Sequence, residues 1–68
     1  MKYTNKHLTE AREIKERAID GFLAAKSRFQ ETGKGEARLD MTERAMYRAI
    51  AHYNSVEANI HAQKMGWI

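Results

Sequence analysis

Apolar residues in the first half of the chain recur at intervals of three and four. Placed about 100° apart around a helix axis, Ile14, Ala18, Phe22, Ala25 and Phe29 share one stripe, with Ala11 beside them and Leu8, Ile19 and Leu23 widening one edge. This predicts an amphipathic helix over about 6–32. Its start is assigned to Thr4 or Asn5, with Thr9 as a second cap that has Arg12 rather than Glu at the capping-box position. His7, near the start of the helix, carries no signal of chemistry. Gly33 suits the left-handed residue that closes a helix, and Gly35 keeps the helix from resuming, so a turn is expected over 33–40. Asp40 followed by Glu43 resembles a capping box and places the second helix over about 41–65, with Gly66 at its end.

The second helix has two apolar stripes instead of one. The first contains Met46, Ala49, Ile50, Tyr53, Val56 and Ile60, and Leu39, Met46, Tyr53, Ile60 and Trp67 recur every seven residues. That stripe is expected to pack on the first helix. The second contains Tyr47, Ala51, Asn54, Ala58, His61 and Met65, spaced four, three, four, three, four, on nearly the opposite side. A hairpin has one internal interface, so a second heptad stripe carrying small alanines points to another helix from outside. The fold class expected is all-α: a single antiparallel two-helix hairpin over 1–68 that dimerises into a four-helix bundle. The competing reading leaves Ala51, Ala58 and Ala62 as good helix formers on a solvated face. Trp67 and Ile68 are expected to fold back over the core; protruding, they would suit a partner's pocket, since Trp is enriched among the residues that dominate interface energies.

Composition sharpens this picture. Sixty-eight residues bury a modest share of the unfolded chain's surface, and small domains compensate with disulfides, a metal or association. The chain has no cysteine, which removes disulfides, thiolate metal sites and cysteine nucleophiles and leaves association. The opening residues lack the apolar core of a secretory signal, and no apolar run approaches the ~20 residues of a membrane span, so a cytoplasmic protein without membrane attachment is expected.

The formal charge of +3 raises the question of a nucleic-acid partner. Along the chain the charge is dispersed. From Leu8 to Thr32 five acids match five bases, from Gly33 onward five bases exceed four acids by one, and Lys2 and Lys6 supply the other two. The strongest cluster is Arg44, Arg48 and His52 at successive turns of the second helix, with Lys34 and Arg38 leading into it. Glu36, Asp40 and Glu43 are interleaved with it, and no aromatic residue is placed beside it to stack on bases.

Catalytic chemistry finds no footing. His52 and His61 are nine residues apart and point to opposite sides of a helix. Glu57 and His61 are four apart, whereas carboxylate-bridged sites in bundles use Glu and His three apart and need further inward Glu residues. Ser27 and Ser55 lack a base and an orienting acid at suitable spacing, and Gly33-Lys34-Gly35 is a helix-ending turn much shorter than a phosphate-cradling loop. The expectation is a protein with no cofactor, metal or enzymatic activity. It would act as a self-associating adaptor or regulator of another protein; the alternative is a nucleic-acid-binding accessory protein using the cluster from Lys34 to His52.

Overall fold

The computed structural model describes residues 2–68. Two helices, α1 over Asn5–Thr32 and α2 over Glu36–Met65, lie side by side as an antiparallel hairpin extending 51 × 15 × 15 Å. No described residue is in a strand, and no helix among them is long and apolar enough to cross a membrane.

α2 begins at Glu36, five residues before the position the Asp40–Glu43 pair indicated, and the turn shrinks from 33–40 to three residues. Gly33 and Gly35 both have positive φ, 68° and 93°, so the chain reverses around Lys34 alone. Gly35 therefore allows the helix to resume rather than preventing it. The Thr32 hydroxyl fastens the turn: Oγ1 accepts the Lys34 N–H at 3.1 Å and donates to the Arg28 carbonyl at 2.9 Å. Asp40 is inside the helix, where its carboxylate holds the Arg44 guanidinium at 3.1 Å. Gly66, with φ 76°, ends α2 where expected.

The seam between the helices is a heptad on both sides. On α2, Ala49, Val56 and Ile60 are buried and Leu39, Met46, Ile50 and Tyr53 are half-buried, as their stripe predicts. On α1 the seam runs through Leu8, Ala11, Lys15, Ala18, Phe22, Ala25 and Phe29, with Ala11 and Ala25 fully inside. Ala11, Ala18 and Ala25 recur every seven residues, and their small side chains let α2 come close. Ile14, placed on the stripe from the sequence, lies at its edge and is 52% exposed, as is Leu23 at 53%. The displaced centre is explained by Lys15, a polar residue in the seam whose ammonium sits 3.8 Å from the centre of the Tyr53 ring.

The open end of the hairpin is closed by the segment before α1. The Tyr3 N–H donates to Asn59 Oδ1 at 3.1 Å, and Gln63 Nε2 donates to the Tyr3 carbonyl at 2.9 Å and to Asn59 Oδ1 at 2.6 Å. Tyr3, Leu8 and Tyr53 then pack over the Ala11, Val56 and Ile60 cluster. Thr4 is the N-cap of α1, and His7 takes the position usually held by Glu in a capping box: its Nδ1 accepts the Thr4 N–H at 2.9 Å. That bond requires Nδ1 to be unprotonated. The start of α1 is thus well anchored, and His7 has a structural role the sequence did not reveal.

Gly21 is the one glycine inside a helix, and a Cβ built on it meets nothing within 4 Å. Glycine lowers helix stability relative to alanine by about 0.5–1 kcal/mol. Gly21→Ala is expected to raise the melting temperature by about 2–8 °C in a chain of this size, read by circular dichroism. An unchanged or lower melting temperature would contradict the reading of Gly21 as an open helix position.

Candidate interaction surfaces

In an antiparallel hairpin, the flank of one right-handed helix reached by turning backward from the seam lies beside the corresponding flank of the other. Two side-chain contacts and two grooves locate these faces. Tyr3 meets His52, with ring centroids 6.2 Å apart, on one face. An open groove of about 320 Å³ at the turn end of that face is lined by Ala25, Arg28, Thr32, Lys34, Gly35 and Arg38. A neighbouring groove of about 330 Å³ continues it over Gly21, Ala24 and Thr42. Lys15 over Tyr53 marks the seam toward the other face.

The five residues of the predicted basic cluster do not form one patch. Lys34 and Arg38 meet at the groove, and the structure adds Arg28 from α1, which lies too far away in sequence to be grouped with them. Arg44 points toward the back of α2 and is neutralised by Asp40. Arg48 lies on the flank of the groove face, level with Arg17 of α1 by the antiparallel pairing. His52 is farther along, against the Tyr3 ring near the open end. Among the described residues, Arg17, Arg28, Lys34, Arg38 and Arg48 make no ion pair, and all five are exposed.

The proposed association stripe keeps its geometry. Tyr47, Ala51, Asn54, Ala58, His61 and Met65 are all exposed on the outer side of α2. Tyr47 at 59% and Met65 at 56% present large apolar surface. Trp67 does not cover the core: it is 67% exposed and its ring meets that of His61 edge to face, with centroids 5.6 Å apart, while Ile68 is 59% exposed. The reason lies at Gly66, whose left-handed backbone turns the chain off the helix axis, while the Trp67 N–H bonds back to the Ala62 carbonyl at 2.9 Å. The heptad that runs from Leu39 to Ile60 therefore stops one repeat short of Trp67.

In comparisons with protein-family models, with curated proteins and with solved structures, nothing matches this chain. The two surfaces are therefore read from their own chemistry. One is an apolar and small-residue stripe ending in an exposed tryptophan. The other is a groove with unpaired cations. His52 and His61 are each engaged with an aromatic ring and stand on different faces. No group of three or more His, Asp or Glu residues among those described is placed to hold a metal ion.

Proposed function

We propose that this chain is a small non-catalytic adaptor or regulatory protein that self-associates and binds another protein through helical surfaces. The observation that supports it most directly is the poverty of the hairpin's own core beside the apolar surface it leaves outside. Val56 is the one large side chain fully enclosed, whereas Leu23, Met41, Tyr47, Met65, Trp67 and Ile68 are all more than half exposed. Exposed apolar surface on this scale supports contact with another chain, and most of it belongs to α2 and to Trp67 and Ile68 after it. Tyr47 and Met65 bracket the heptad stripe, and Ala51 and Ala58 between them leave room for a neighbouring helix. In this reading the second copy covers the stripe, completing a four-helix bundle, and Trp67 with Ile68 anchors the protein partner.

Light scattering on the full chain tests the self-association. A two-chain mass is expected at high micromolar concentration. Ala51→Arg with Ala58→Arg places bulk and unpaired charge in the interface and should yield a single-chain mass. The melting temperature should fall and lose its dependence on concentration. A one-chain mass for the unaltered protein, or an unchanged dimer for the double variant, would reduce the stripe to a solvated alanine-rich face.

A further inference from the structure

We infer that the groove face of the hairpin binds the phosphate backbone of double-stranded nucleic acid. The hairpin assembles what the chain order scatters. Around the helix axes, Arg17 and Arg28 fall on one flank of α1 and Arg38 and Arg48 on the flank of α2 beside it, with Lys34 in the turn between them. Glu10 and Glu31, seven residues before and fourteen after Arg17, are the two carboxylates on that pair of flanks, against five cations; the other acids of α1 and those of α2 point to the back or to the opposite face. Antiparallel pairing sets Arg28 level with Arg38 and Arg17 level with Arg48. At 1.5 Å per residue the two arginine pairs stand about 15 Å apart along the hairpin.

Two further features select the ligand. The floor between the arginine pairs is built from the small residues Gly21, Ala24 and Ala25, which leave the guanidinium groups of α1 open to an approaching surface. No aromatic ring lies at the groove; Tyr3, His7 and His52 gather near the other end. A single strand is gripped by stacking its bases on aromatic rings, and the rings of this face, Tyr3 and His52, meet each other edge to face toward the open end instead of lining the groove. A duplex instead presents one phosphate per about 1.7 Å of axis and requires only charge and reach. Arginine, planar and always charged, suits phosphate contact. Contacts of this kind carry no sequence preference.

The test is fluorescence anisotropy of the full chain with a labelled duplex DNA of about 20 base pairs at low salt. Binding is expected, weakening about 150- to 500-fold between about 50 and about 200 mM salt as four or five phosphates exchange for counterions. Arg28→Gln with Arg38→Gln, and separately Arg17→Gln with Arg48→Gln, should each lower affinity about fivefold or more. Arg12→Gln with Lys26→Gln removes the same charge from the opposite flank and should change it less than about twofold. All six residues are exposed, and circular dichroism checks that each variant keeps its helices. Equal losses for all three pairs would mean that binding follows net charge and not this face. Tighter binding of a single strand, equal binding of polyglutamate, or no binding at low salt would each overturn the inference.

Discussion

Val56→Asp is expected to abolish the hairpin at room temperature. Val56 is fully enclosed against Ala11 and Ile60, under Tyr3, Leu8 and Tyr53, and no polar side chain is buried anywhere in the described structure. A carboxylate at that point would be enclosed by apolar side chains, and removing its charge from water costs several kcal/mol. A domain of this length has roughly 3–10 kcal/mol to lose. Val56→Ala, which removes two methyl groups, should cost about 2 kcal/mol and leave a folded but less stable chain. Ser55→Asp, one residue away on the exposed side of α2, serves as the control and should melt near the unaltered protein. Thermal melts followed by circular dichroism read all three. If Val56→Asp retained its helices and melting temperature, the Ala11–Val56–Ile60 cluster would not be what joins α1 to α2.

The turn carries the second large effect. Gly33 at φ 68° and Gly35 at φ 93° sit in backbone conformations that an L-residue adopts at a cost of about 1–2 kcal/mol each. A Cβ at either position meets nothing within 4 Å, so the penalty is conformational and not steric contact with neighbours. Gly33→Ala with Gly35→Ala should therefore lower stability by about 2–4 kcal/mol and the melting temperature by about 10–25 °C. The same change favours an alternative in which α1 and α2 run on as one long helix and pair with a second copy. Small-angle scattering should then show a longer particle. D-alanine at both positions, introduced by chemical synthesis, accepts positive φ and should match or exceed the stability of the glycines. Destabilisation by D-alanine equal to that by L-alanine would place the effect elsewhere than in the backbone.

Much of the fold is legible in the residue pattern. Leu39, Met46, Tyr53 and Ile60 at intervals of seven mark the face of α2 that packs, and Gly33 and Gly66 mark where the helices stop, because both signals depend only on local geometry. The start of α2 was obscured by Asp40 and Glu43, which imitate a cap while serving inside the helix, one of them as partner to Arg44. The centre of the α1 seam was obscured by Lys15, whose charge hides a position that Tyr53 makes habitable.

What the sequence by itself determined is therefore the two helices and their packing faces, since helical period and glycine conformation act over a few residues. Tertiary structure alone decided the rest. Tyr3 is held by Asn59 and Gln63 across 56 and 60 residues of chain, an attachment no local pattern encodes. Charge that alternates evenly along the chain becomes one-sided once the helices lie antiparallel. Reversing direction at Gly33 and Gly35 brings matching flanks of two right-handed helices to the same side, so Arg17 and Arg28 join Arg38 and Arg48 while most carboxylates turn away. A basic surface is a property of neighbours in space, and the handedness of the helices together with the turn chose those neighbours.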